Sequence, residues 1–204
     1  ERRAPVASRT GENLFWLGRY TERSEQAVRL ARAALALIDG DETVPQPLWA
    51  ALSALTTFTG LVSAGTPGAE RSPAVFERSL LAALHDRASG AIGVNLDAMA
   101  RAAGALRDRL SPEQWGLVRR MGDVWQAHFD SLGVARPSTG QAVPTLQRRA
   151  LQLAAVTGAQ TDRMTRDHGW RLLSVGRLLE RLAGMSRAMQ ELIGVIDGRG
   201  GSAV

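Results

Sequence analysis

Neither cysteine nor lysine occurs in the 204-residue sequence. The absence of cysteine excludes disulfides, thiol nucleophiles and zinc–thiolate sites. Because there is no lysine, all 25 basic residues are arginine. This excludes a Schiff-base lysine, a lysine general base and the lysine of a phosphate-binding P-loop. The sequence therefore lacks several of the groups on which covalent and nucleotide-dependent catalysis depend.

Long apolar runs, a strong net charge and metal-ligand spacings are missing as well. No stretch reaches 18 apolar residues and no secretory signal is visible, so a membrane-spanning or exported chain is not expected. A net charge of +5 is too small to indicate nucleic-acid binding. The three histidines, His85, His128 and His168, have no spacing typical of zinc or di-iron ligands, so we expect no metal site.

The residues that are present favour helix throughout. Alanine and leucine predominate and β-branched runs are scarce, which predicts an all-α, multi-helix bundle formed by residues 1–204 as a single domain. Clusters of glycine and proline separate about seven predicted helices. A serine cap, Ser111, with Gln114 three residues later marks one clear helix start. The predicted helices cover residues 11–38, 48–64, 73–89, 91–110, 112–132, 145–165 and 169–197.

The first and last helices are the longest, each about 28 residues or roughly 42 Å. Each carries an apolar stripe in which steps of three and four residues alternate, the pattern of packed bundle helices. We expect both stripes to lie in the core. The first stripe is Leu14, Leu17, Val28, Ala31, Leu35 and Ile38, with Thr21 and Ser24 between; the second is Val175, Leu178, Leu182, Met185, Met189, Leu192 and Ile196.

A repeated motif links these two helices. The pattern Gly-Arg-x-x-Glu-Arg occurs at residues 18–23 and again at 176–181, an offset of 158 residues. The same offset carries Leu14 onto Leu172 and Arg29 onto Arg187. Because motif and apolar stripe repeat together, the chain is interpreted as two related helical units.

The repeat predicts ion pairs between the two helices. On a helical wheel Arg23 points with Trp16, so we expect it to be buried and to need a carboxylate partner. The second copy of the motif supplies one, pairing Glu180 with Arg23 and Glu22 with Arg181. Two interpretations stay open: an ionic lock that fixes helix register, or a substrate-binding or catalytic site. The candidate residues are Arg19, Glu22, Arg23, Arg177, Glu180 and Arg181.

Residues 8–25 and 164–181, which contain the two motifs, resemble the signatures of the bacterial alpha-E family, a helical domain named for its Glu-Arg motif. The resemblance covers nearly the whole chain and implies an all-helical domain of unsettled biochemistry. Asp167 and His168 form either an acid–base pair or a helix cap. The secondary site candidates within the two segments are Arg9, Glu12, Asn13, Asp167 and His168.

The resemblance also implies partners. Family members are often fused to, or encoded beside, a circularly permuted ATP-grasp ligase and a transglutaminase-like peptidase, which implies a system that makes or edits peptide or amide bonds. ATP and Mg²⁺ are then expected only in the ligase, with no cofactor in this chain and a cytoplasmic location. The chain is interpreted as an accessory or substrate-binding domain; the alternatives are a catalytic amide-processing domain and a purely structural module.

Three departures from the family pattern stand out. His168 replaces the second acid of an Asp-Asp-Gly-Trp run, and Arg101-Ala102-Ala103 replaces an Arg-Glu-Asn run. Family members also continue well beyond the second Glu-Arg helix. We therefore expect this chain to be part of a longer polypeptide, with an apolar flank through which it self-associates.

Overall fold

The computed structural model describes residues 7–40, 44–86, 91–133 and 136–197. Within these ranges the regular structure is seven helices without a strand, which confirms the all-α prediction. None of the described helices combines the length and apolar character needed to cross a membrane. The helices are α1 (Ser8–Asp39), α2 (Gln46–Phe58), α3 (Pro73–His85), α4 (Ala91–Gly104), α5 (Pro112–Ser131), α6 (Thr139–Asp162) and α7 (His168–Ile196).

Helix α1 lies at the centre of the bundle. It packs against α7 along its length and against α4 and α6 on its other sides, while α2 packs on α7 and α5 on α4. The stripe predicted for α1 is confirmed, since five of its six apolar members are buried and Ile38 is half-buried. Thr21, also buried, satisfies its hydroxyl within the helix by donating to the Leu17 carbonyl at 2.8 Å.

Capping boxes begin two of the helices. The predicted box of Ser111 and Gln114 opens α5. A second box, Ser138 with Gln141, opens α6 at Thr139, so the predicted start at residue 145 was wrong. The run from Gly133 to Pro144 predicts a loop, but the capping box begins the helix within that run and Pro144 lies inside the helix.

Two helices end six residues earlier than predicted. Helix α2 stops at Phe58 instead of residue 64, because Gly60 adopts a positive φ of 75° that ends the helical path. Helix α4 stops at Gly104 instead of residue 110, and a turn follows in which Leu106 and Leu110 remain buried. The predicted end of the third helix, at residue 89, lies outside the described residues.

The apolar stripe of α7 is not buried, contrary to the prediction that it packs in the core. Its members are exposed by 41% to 60%, apart from Ile196, whose side chain lies outside the described part of the chain. Helix α7 turns its small and charged residues toward α1 and leaves the stripe on the opposite side. We call the exposed surface the α7 apolar face; it consists of Leu172, Val175, Leu178, Leu179, Leu182, Met185, Met189, Leu192 and Ile193.

Candidate functional site

Helices α1 and α7 run parallel and touch through their backbones at the two motif glycines. A Cβ atom on Gly18 would lie 2.1 Å from the carbonyl oxygen of Leu173, and one on Gly176 would lie 2.1 Å from the carbonyl oxygen of Phe15. Only glycine allows so close an approach at either position. The two contacts are related by the 158-residue offset, so the sequence repeat corresponds to a local two-fold arrangement of the helices.

Glu180 of α7 is held by two arginines of α1. Its Oε1 accepts from Arg23 Nε at 2.7 Å. Its Oε2 accepts from Arg19 Nε at 2.7 Å and from Arg23 Nη2 at 2.9 Å. Arg23 therefore binds the carboxylate through both of its oxygens, the strongest geometry for this kind of pair.

Glu22 of α1 is held in the same way by two arginines of α7. Its Oε1 accepts from Arg181 Nε at 2.9 Å, and its Oε2 accepts from Arg181 Nη2 at 2.8 Å. Arg177 Nη2 adds a third hydrogen bond to Oε2 at 3.3 Å. The predicted reciprocal pairing is thus confirmed. We call these six residues, two glutamates and four arginines, the Glu–Arg lock.

The carboxylates of the lock are more buried than most of its arginines. The Glu22 side chain is 1% exposed and that of Arg177 is 12% exposed. By contrast, Arg23 is 37% exposed, so it is partly buried, less than the sequence predicts. The helical wheel gives the direction of a Cβ atom only, and the long arginine side chain extends toward solvent while its guanidinium lies 5.7 Å from the Tyr20 ring centroid.

Two polar residues beside the lock were not predicted from the sequence. Gln26 Nε2 donates to Glu22 Oε1 and to the main-chain carbonyl of Glu180, both at 3.4 Å, and so bridges the two helices. Glu25 Oε1 lies 3.6 Å from Arg177 Nη2 and accepts from Thr157 of α6. The spacing of four residues between Glu22 and Gln26 is a signal that would have suggested the first contact.

Both lock glutamates are ionised over a wide pH range. Burial alone raises the pKa of Glu22, but the Arg181 and Arg177 guanidinium groups outweigh it and hold the pKa below its ordinary value of 4.5. Burial likewise raises the pKa of Glu180, and Arg23 and Arg19 bring it below the same value. Each carboxylate is therefore stabilised as an anion.

These shifts predict that acid weakens the fold. The folded-state pKa values are lower than those of the unfolded chain, so the lock's contribution is complete above pH 4.5 and is lost as the pH falls through the folded values. Urea unfolding at a series of pH values should give a free energy of unfolding that falls below pH 4.5. The Glu180→Gln variant should show a shallower fall, whereas Asp162→Asn, at the exposed end of α6, should match the parent chain. An unchanged slope in Glu180→Gln would contradict the assignment.

Asp167 caps α7, which confirms the capping interpretation. Its side chain accepts from the main-chain N–H of Trp170 at 3.0 Å. It also forms an ion pair with Arg109, from the turn after α4, a partner that no sequence signal indicated. Burial raises the pKa of Asp167, but the Trp170 N–H and Arg109 outweigh it and lower the pKa. The neighbouring His168 is exposed.

The secondary candidates lie away from the lock. Arg9 and Glu12 are exposed and Asn13 is half-buried, in the first two turns of α1. Nine or more residues separate them from Glu22, about 14 Å or more along the helix axis. Since α1 and α7 run parallel, these residues share the N-terminal end of the helix pair with Asp167 and His168. The structure therefore divides the predicted site into a lock and a separate N-terminal group.

Other candidate chemistry is limited in the described residues. No group of three or more histidine, aspartate or glutamate side chains is placed to hold a metal ion within those ranges. At the position of the family's Arg-Glu-Asn run, Arg101 is exposed while Ala102 and Ala103 are buried in the core. The two alanines thus extend the apolar core along α4.

Comparisons with known proteins identify a family model that covers most of the chain. A family model described as Alpha-E, a predicted alpha-helical domain with a conserved ER motif, matches residues 6–201. Uncharacterised proteins of Mycobacterium bovis and of two Mycobacterium tuberculosis strains are 28% identical to the chain over 207 residues. The match covers 95% of this chain but only 23% of each relative's length. No solved structure shows significant similarity to it.

The family is described by a conserved ER motif, and the Glu–Arg lock is built from two Glu-Arg copies. Both copies fall within the matched residues, and each supplies the glutamate that binds the arginines of the other. The resemblance noted from the sequence is therefore confirmed, and the chain belongs to the Alpha-E family.

Proposed function

We propose that the chain is a helical accessory domain of a system that forms peptide or amide bonds, and that it binds a peptide-like or acidic substrate or docks the ligase. The observation that favours an accessory role over a catalytic one is that both lock glutamates are already bound by arginines. Each carboxylate is occupied by two arginines of the opposite helix. The Glu-Arg motifs then act by holding α1 and α7 together.

A catalytic role for the lock, the alternative proposal, has less support. A general base or acid works best when its pKa lies near the working pH. The arginine partners lower the pKa of Glu22 and Glu180 below 4.5, away from a neutral working pH. The carboxylate oxygens also accept hydrogen bonds from the arginines, so few of their lone pairs remain to accept a proton from a substrate.

The ATP-dependent chemistry is assigned to a partner. The chain has no lysine and no glycine-rich phosphate loop before a helix. A circularly permuted ATP-grasp protein or domain would supply ATP and Mg²⁺ binding in the cytoplasm, with a transglutaminase-like peptidase as a second partner. The curated relatives are about four times as long as this chain, which supports a role beside other domains.

We expect the chain alone to show no tight ATP binding. Without a lysine to pair with the phosphates, and without a loop of backbone N–H groups to hold them, the contacts that normally bind ATP are missing. Titration calorimetry with Mg-ATP should give no heat of binding at about 100 µM nucleotide. Saturable binding with a micromolar dissociation constant would contradict the assignment of ATP to the partner.

Reconstitution tests the accessory role. ADP release by a circularly permuted ATP-grasp ligase would be measured with and without this chain, in the presence of candidate peptide and amine substrates. The proposal predicts that the chain raises the substrate-dependent rate but has no turnover alone. Amide turnover by the chain alone would support the catalytic alternative. If the chain neither binds the ligase nor changes its rate, the accessory proposal is wrong and a structural module is favoured.

A further inference from the structure

The α7 apolar face is too large to be an ordinary exposed surface. Its nine side chains are between 37% and 60% exposed. Nine large apolar residues, each about half exposed, make a larger apolar surface than the about 300–600 Å² of the largest patch on a typical monomer. A patch of this size usually marks a surface that binds another protein.

The face has the spacing of a coiled-coil seam. Its central residues follow alternating steps of three and four: Val175, Leu178, Leu182, Met185, Met189 and Leu192. In a coiled coil these positions insert between the side chains of a partner helix. Helices α1 and α2 contact other sides of α7, so the seam itself has no helix against it in the described part of the chain.

We propose that a second copy of this chain covers the seam, with the two α7 helices antiparallel around a two-fold axis. The register that pairs all six seam residues places each residue i opposite residue 367 − i of the other copy. Leu182 then faces Met185, Leu178 faces Met189 and Val175 faces Leu192. All six seam positions are filled, and the central layers pair leucine with methionine.

Charge favours the antiparallel orientation over the parallel one. Arg171, which is exposed, continues the seam by one step at its N-terminal end. In a parallel pair the two Arg171 side chains would lie side by side and repel. In the antiparallel pair each lies near the C-terminal end of the other α7 helix, where the helix dipole is negative and Asp197 follows the last turn.

The area also fits a stable dimer. A standard protein–protein interface buries about 800 Å² on each partner, and nine half-exposed large apolar residues offer an area of that order. Apart from Arg171 at its end, the seam contains no charged residue, so its burial leaves no charge without a partner along the central six positions.

Measurement of the mass in solution tests the dimer. Sedimentation equilibrium at about 50 µM should give twice the chain mass, and Leu182→Glu should weaken association by about 100-fold or more. The matched control is Leu151→Glu, on α6, whose parent side chain is 67% exposed and outside the face. Both variants should keep the helical circular dichroism of the parent. A monomeric parent chain, or a dimer that Leu182→Glu leaves intact, would overturn the proposal.

Disulfide cross-linking tests the orientation, because the chain has no cysteine of its own. The Leu178→Cys, Met189→Cys double variant should form a covalent dimer on mild oxidation, since the antiparallel register places each new thiol opposite the other. Leu178→Cys alone should not, because the two thiols would be about 16 Å apart along the helices, beyond disulfide reach. Rapid cross-linking of the single variant would overturn the antiparallel register and indicate a parallel pair.

Discussion

Replacing Glu22 with glutamine should lower the free energy of unfolding by about 3 kcal/mol. The side chain keeps its shape but loses the charge that compensates Arg177, which is 12% exposed, and Arg181. The cost lies at the lower end of the range for a broken buried pair, because Arg177 keeps Glu25 at 3.6 Å as a second partner. Urea unfolding at pH 7 measures the loss.

The matched change at Glu180 should cost less, about 1–2 kcal/mol. Its partners Arg19 and Arg23 are 27% and 37% exposed, so water can solvate them once the carboxylate is gone. The two motif copies are alike in sequence but differ in burial. Equal losses in the two variants, or a loss below about 0.5 kcal/mol at Glu22, would show that burial does not set the strength of the lock.

Alanine at Gly18 or Gly176 should destabilise the chain by about 3 kcal/mol, although alanine is the better helix former. In each case the new methyl group would lie 2.1 Å from a backbone carbonyl oxygen of the other helix. Neither helix can relieve the contact by a rotamer change, so α1 and α7 must move apart and stretch the lock hydrogen bonds. Thermal and urea unfolding of the two variants measure the effect.

Gly194, which lies in α7 with Gly176, provides the matched control. A Cβ atom there meets nothing within 4 Å, so Gly194→Ala should be neutral or stabilise by about 0.5–1 kcal/mol. The Gly18→Ala, Gly176→Ala double variant should cost less than the sum of the single changes, because one separation of the helices relieves both clashes. Strictly additive losses would contradict this shared contact.

The sequence predicted the lock because both halves of each ion pair are contained in the repeat. Once the motif is known to occur twice, a buried glutamate in one copy requires an arginine, and the other copy offers it at the same offset. Glu22 and Glu180 were therefore assigned to partners more than 150 residues away. The number of helices and most of their starts also follow from local signals, such as the cap at Ser111.

The remaining features depend on tertiary contacts that no local pattern contains. The heptad spacing of α7 indicates that its apolar stripe needs a partner, but the close glycine contact turns the opposite side of the helix toward α1. The ion pair of Asp167 joins it to Arg109, which belongs to a turn that was predicted to be helical. The exposure of Arg23 depends on the path of a flexible side chain, which a helical wheel does not describe.

Exchange of charges across the lock tests most directly whether the Glu-Arg motifs are a structural pairing. Glu180→Arg and Arg23→Glu would be measured separately and together by urea unfolding at pH 7, as a double-mutant cycle. Each single change places like charges in contact and should be strongly destabilising. A structural lock predicts that the double variant recovers about half of the summed loss or more, because the exchanged side chains at positions 23 and 180 can still pair across the helices. Losses that simply add, with no recovery in the double variant, would contradict a structural lock between α1 and α7.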